Sequence, residues 1–248
     1  MLISFFEEFP TKNNLKKLSL ITFPTKLYIA AESLEEFNQI KSTIKSKHVK
    51  EIIYWPILKK SEGYWISPFS QRQALKRILK IPTSTPVMLD AELPTRHNPL
   101  LYLTQLFNFH SNKKLIKTFL QSRTNTYVAE YYPEGKWKEY LFTFLGLHYD
   151  PKKYNTQLIR MLYSSLHHFS EHFIQKELEC GTHEHKHRFL IAFGTLAPGI
   201  NKTEPKITAE QLEMCLSAAQ HAKLNEVIIF RLGGLDKKYL RIFKQFTK

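Results

Sequence analysis

A chain of 248 residues is short for two ordinary domains and long enough for one α/β barrel. With 43% hydrophobic and 23% charged residues it can bury a core, which excludes a disordered chain, and no apolar run of about 18 residues supplies a membrane span. Lys and Arg number 36 against 22 acids, a formal +14 that favours anionic partners. The bases are dispersed over what read as outer helix faces, and no nucleic-acid motif accompanies them, so nucleic acid is a minor reading. Residues 1–8 turn acidic too early for an export signal, and two cysteines, Cys180 and Cys215, cannot build a disulfide scaffold. Buried thiols in a reducing, cytoplasmic setting are expected.

Residues 2–6 form the first apolar run of strand length, ending in Glu7-Glu8-Phe9-Pro10. The second, 27–31, ends in Glu32 and is followed by Ser33-Leu34-Glu35-Glu36, a capping box, with Leu34, Phe37, Ile40 and Ile44 then at helical spacing. Run 51–55 ends in Tyr54-Trp55-Pro56, with Tyr64-Trp65 in the loop beyond, and a second cap at Ser70. Run 87–90 ends in Asp90-Ala91-Glu92, and 127–131 in Glu130-Tyr131-Tyr132. Residues 140–147, rich in Tyr, Phe and Leu, read as strand six, ending in His148-Tyr149-Asp150; Asp150-Pro151 then opens a long helix over 151–179. The last two runs are 189–193, followed by Gly194-Thr195, and 227–230, followed by Arg231-Leu232-Gly233-Gly234; a capping box at Thr208 starts the helix between them. Continuous apolarity implies burial on both faces, as in parallel strands. Eight strands alternating with helices predict a single (β/α)8 TIM-type barrel over 1–248. Its weak point is the short link between the fifth and sixth runs.

In such a barrel, chemistry gathers where strands end. Carboxylates follow five of the runs, and residues two apart on a strand share a face, so Asp90 and Glu92 are the leading acid/base pair, with Glu130 and Glu8 as further carboxylates. Flat rings with polar edges suit sugar rings, which singles out Tyr54, Trp55, Trp65, Tyr131 and Tyr149 for a sugar-containing substrate. Arg231, beside Gly233-Gly234, is a candidate charge clamp. No cofactor fingerprint is present. His183-Glu184-His185-Lys186-His187 reads as an exposed loop, and His168 with His172 as surface or core histidines, so no metal site is assigned.

Asp90-Ala91-Glu92 and His148-Tyr149-Asp150 resemble the motifs of chitinase-like glycoside hydrolases, (β/α)8 barrels with an acidic motif ending Asp-x-Glu on strand four and a Tyr-Asp pair closing strand six. The resemblance implies that Glu92 protonates the leaving glycosidic oxygen. Asp90 would orient the substrate's N-acetyl group as internal nucleophile, with Tyr149 and Asp150 holding that acetamide. The chain departs from the family at Thr85 and Met88, where further aspartates belong, and at Tyr54-Trp55-Pro56 and Phe230-Arg231, where Ser-x-Gly-Gly and a tryptophan belong. Ordinary two-carboxylate hydrolysis, with Glu92 as acid and Glu130 or Glu8 as nucleophile or base, stays open. So do a metal-dependent sugar-phosphate isomerase or phosphoester hydrolase using Glu32, Asp90, Glu130 and His148, and a non-catalytic carbohydrate- or polyanion-binding barrel.

Overall fold

The apolar runs become strands wherever branched and aromatic residues can be covered on both sides. In the computed structural model, which describes residues 1–95, 98–133, 135–167 and 169–247, the strands are β1 (Leu2–Glu7), β2 (Thr25–Ala31), β3 (Val49–Pro56), β4 (Val87–Asp90), β5 (Thr126–Tyr131), β6 (Gln157–Met161), β7 (Phe189–Gly194) and β8 (Glu226–Phe230). They follow one another in chain order around a closed barrel. The pairs β1–β2, β1–β8, β3–β4, β4–β5 and β7–β8 are parallel. The (β/α)8 architecture is thus the observed one.

Strand six lies elsewhere than the sequence predicts. Residues Lys136–Leu145 form a helix, and β6 falls inside the stretch expected to be a long helix, which is instead the single turn Pro151–Tyr154, β6 and the helix Glu171–His185. Trp137, Tyr140, Leu141 and Phe144 recur at three- and four-residue spacing, a helical period that the local density of aromatics masks. β6 is obscured by Arg160, a buried cation in mid-strand that lies 5.7 Å from the Phe189 ring and 3.9 Å from Glu177.

The chain divides into two compact units. The first comprises Met1–Ala30, Gln39–Ile53 and Ile159–Lys248. Phe5 meets Phe243 of the helix Lys237–Phe246 edge-on at 5.6 Å, so the odd-numbered residues of β1 face the helix layer. Gly181 allows the same closeness further round: a Cβ there would come within 2.3 Å of the Phe189 ring. The even-numbered residues face the barrel interior. Ser4 donates to Glu226 Oε1 at 2.7 Å and the Tyr28 hydroxyl does so at 3.1 Å. Lys26 Nζ bridges Glu226 at 3.0 Å and Glu51 at 3.4 Å. This polar layer lies near the start of the strands. Toward their ends Phe6 packs against Tyr28 and Phe230 at 5.2 and 6.4 Å.

The second unit comprises Ala31–Asn38 and Tyr54–Leu158. Tyr54 stacks on helix residue Phe37 at 4.9 Å and donates its hydroxyl to Ala31 O at 3.3 Å, so Tyr54 faces the helix layer. Register carries that face across: Tyr54 pairs with Val87, and Val87 with Thr126. Neighbouring residues of a parallel sheet share a face, and alternation then turns Val87, Leu89, Thr126, Val128 and Glu130 outward. Trp55, Asp90, Ala129 and Tyr131 belong to the inward face.

Of the three predicted capping boxes, that at Thr208 is complete: Thr208 and Gln211 exchange its two reciprocal bonds. Ser33 accepts from Glu36 N, while Glu36 reaches back to Glu32 N. Ser70 caps no helix, because its hydroxyl donates to Trp65 O at 2.8 Å. Among the described residues no helix is long and apolar enough to cross a membrane.

Candidate active site

At the end of β4, Asp90 and Glu92 are 4% and 7% exposed, two carboxylates buried within one turn of chain. Their backbone is held from both sides: Ala91 N donates to Ala129 O at 2.9 Å, and Ile66 N to Asp90 O at 3.0 Å. Glu92 N donates to Asp90 O at 3.2 Å, so the chain turns directly after Asp90. Strand alternation therefore gives the direction of Asp90, inward, but not that of Glu92. An inward buried acid at a strand end is where barrel chemistry is performed.

Glu130, one step past the β5 partner of Asp90, has the outward parity and is fully buried. Its carboxylate accepts from His148 Nδ1, at 2.8 Å from Oε2 and 3.1 Å from Oε1. His148 Nε2 lies 3.9 Å from Glu139 on the helix Lys136–Leu145. This pair clamps the segment leading to β6 onto the end of β5, and the parity that makes Asp90 available turns Glu130 away.

The expected aromatic rim is mostly interior. Tyr54 is a core residue, and Trp55, Trp65 and Tyr149 are all buried. Tyr64 packs edge-on against Trp65 at 5.4 Å. Burial pushes the Tyr54 and Tyr149 hydroxyls well above the usual phenol range. Tyr131, 42% exposed at the end of β5, is the ring left accessible among those singled out.

Tyr149 and Asp150 precede β6 and so cannot close it. Asp150 is an exposed N-cap, accepting from Lys152 N at 2.8 Å. The residues that follow β6 are Leu162-Tyr163-Ser164, and Tyr163 packs on Phe230 at 5.6 Å. Placing strand six correctly would have nominated Tyr163; no other signal in the sequence points to it.

In the first unit, Glu7 is the last residue of β1 and shares the outward parity of Phe5, while Glu8 lies just past the strand. Glu7, outward and fully buried, takes four donors: Phe9 N at 2.8 Å, Asn14 Nδ2 at 3.1 Å and Arg231 Nη1 at 3.1 Å on Oε1, and Gly233 N at 2.6 Å on Oε2. Burial raises its carboxyl above the usual range, while the charge of Arg231 and the amide donors pull it down. Arg231 also donates Nε to Pro198 O at 2.9 Å and lies 4.8 Å from the Phe9 ring. The glycine turn and Arg231, expected to clamp a substrate anion, are thus already engaged by a carboxylate of the protein itself. Glu8, 4% exposed, lies beneath the loop after β7: a Cβ on Gly199 would be 2.7 Å from Glu8 Oε2 and 2.9 Å from Phe230 Cζ.

Among the described residues no three His, Cys, Asp or Glu side chains are placed to share a metal ion. The histidine-rich segment closes the helix Glu171–His185; His183 and His187 are exposed, and His185 is buried against Phe189. The His168–His172 pair lies partly outside the described residues. Cys180 is exposed, against expectation, because it sits on the outer face of that helix; Cys215 is buried, 3.3 Å from the Ser164 hydroxyl.

No family model matches this sequence, and no curated protein matches it significantly. Solved structures do match the fold. The glycoside hydrolase domain of PgaB (BpsB) from Bordetella bronchiseptica is similar with a TM-score of 0.59 at 8% identity, over 100% of this chain and 98% of that one. The spore cortex-lytic enzyme SleL of Bacillus megaterium is similar with a TM-score of 0.55 at 12% identity, over 100% and 73%. The 3-keto-D-glucoside 4-epimerase YcjR of E. coli is similar with a TM-score of 0.52 at 10% identity, over 98% of each. At such identities the likeness is one of fold: the chain has the barrel architecture found in glycoside hydrolases.

Proposed function

We propose that this chain acts on a sugar-containing substrate by carboxylate acid/base catalysis in the manner of a glycoside hydrolase. The carrying observation is the pair Asp90 and Glu92, both more than nine-tenths buried at the end of β4 on a backbone pinned by Ala129 and Ile66. Glu92 is the proposed general acid, delivering its proton to the leaving glycosidic oxygen. Asp90, two residues before it, supplies a group to orient the substrate. Tyr131, 42% exposed and two residues beyond the β5 partner of Asp90, is the ring for a sugar to stack on. Glu130 is assigned to positioning, through its bond to His148. The fold neighbours that act on sugars support the substrate class, and the Asp-x-Glu resemblance puts N-acetylated glycans first.

The test is a screen of purified protein against chito-oligosaccharides, poly-N-acetylglucosamine, peptidoglycan fragments and aryl glycosides, reading new reducing ends. Cleavage of one class supports the proposal. Binding without cleavage by any of them would favour a carbohydrate-binding barrel, and neither binding nor cleavage would remove the sugar reading.

A further inference from the structure

The second unit carries an apolar surface that the proposed chemistry does not use. On the segment around the short helix Leu101–Thr104, Leu103 and Phe107 are 71% and 96% exposed, with Leu100 and Leu106 exposed beside them. On the helix Lys136–Leu145, Trp137 and Tyr140 are 67% and 76% exposed, and Leu141 and Phe144 continue the stripe at helical spacing. Beneath the exposed side chains a row of rings, with Phe69 and Phe109 buried at its centre, packs the two segments together: Tyr102 meets Phe69 at 4.8 Å, Phe69 meets Phe109 at 4.9 Å, and Phe109 meets Phe144 at 6.2 Å. Monomeric proteins rarely leave so many large apolar side chains together in water.

The charge around this surface favours an anionic occupant. Between Glu92 and Glu130 the sequence has no Asp or Glu, whereas Lys113, Lys114 and Lys117 fall there. Lys113 is engaged by the protein itself, 5.5 Å from the Phe144 ring and donating to Thr143 O and Phe144 O at 2.8 and 2.6 Å, which leaves the exposed Lys114 for an anionic partner. Lys136 and Lys138 flank Trp137, and the acid of that helix, Glu139, is turned toward His148. Apolar side chains with Trp and Tyr among them, bordered by lysines on a chain of formal charge +14, match a bilayer interface, where acyl chains take the apolar groups and anionic headgroups take the ammonium groups. Glycans would call for flat rings alone, which Leu100, Leu103, Leu106 and Leu141 do not supply. We propose that this face docks on an anionic lipid surface and holds the barrel there as a peripheral protein.

Trp137 is a built-in reporter, since Trp55 and Trp65 are buried. Purified protein is mixed with vesicles of phosphatidylcholine alone or with about one third phosphatidylglycerol, and partition is read by co-sedimentation and by quenching of Trp137 with brominated acyl chains. The proposal expects partition at least about tenfold stronger on the anionic vesicles, quenching of Trp137, and a drop of about tenfold or more in Leu103→Ser/Phe107→Ser. Both replaced side chains are exposed, so the circular dichroism and melting temperature of that variant should match the parent. Three results would overturn the proposal: no partition onto anionic vesicles, partition unchanged in the double variant, or a concentration-dependent dimer that the double variant abolishes. The quenching measurement needs no variant and decides the matter even if the double variant misfolds.

Discussion

Arg231 Nη1 lies 3.1 Å from Glu7 Oε1, and this bond ties the end of β8 to the end of β1. Both side chains are withdrawn from water, Glu7 completely and Arg231 to 12% exposure, so the pair behaves as a buried ion pair rather than a surface one. Glu7→Gln leaves the guanidinium without its counter-charge and sets an amide against some of the four donors. It should destabilise the protein by about 2–4 kcal/mol. Urea unfolding of the two single variants and of Glu7→Gln/Arg231→Gln should give a coupling of about 1 kcal/mol or more. Strictly additive losses would mean that the pair does not hold the strand ends.

Glu130 presents a sharper choice between roles. If it is a positioning residue, Glu130→Gln weakens its bond to His148 and lowers stability by about 2–3 kcal/mol. Glycan turnover measured well below the melting temperature should then fall less than tenfold. A loss of two orders of magnitude in kcat at unchanged stability would instead make Glu130 a catalytic carboxylate.

The two cysteines separate by environment. Burial pushes the Cys215 thiol up to about 11 from its ordinary value near 9, with the Ser164 hydroxyl pulling slightly the other way. A raised value favours the protonated thiol of the folded state. The stability linked to it is therefore present in full below the ordinary value and lost as pH climbs through about 11. The alkaline loss attached to this group is about 2–3 kcal/mol. Urea unfolding between pH 8 and 11 should show a shallower decline for Cys215→Ala than for the parent. A native-state thiol titration should find Cys180 fast and Cys215 silent; equal rates for both would contradict the burial of Cys215.

Much of this fold is readable from the chain because its strands are buried on both faces and so appear as uninterrupted apolar runs. Runs 27–31 and 87–90 mark β2 and β4 closely. Strand six escaped because Arg160 breaks its run, and the aromatic stripe of Lys136–Leu145 took its place. That one exchange also misplaced Tyr149 and Asp150, which therefore lost the positions given them by resemblance, and hid Tyr163. At the strand ends, composition located the acids but not their direction. Glu7 and Glu8 are adjacent in sequence and chemically alike, yet only the pairing of Phe5 with Phe243 tells which faces the helices. Likewise Trp55 and Trp65 are as suited to a core as to a sugar, and composition alone does not distinguish the two.

Whether Glu92 delivers a proton beside Asp90 is decided by comparing the parent protein with Glu92→Gln on whichever glycan the parent cleaves. The substitution keeps the shape and removes the transferable proton. Turnover of an unactivated glycan should fall by about two to four orders of magnitude, and an aryl glycoside with a good leaving group should be affected less. Equal turnover by Glu92→Gln and the parent on the unactivated glycan would contradict the assignment.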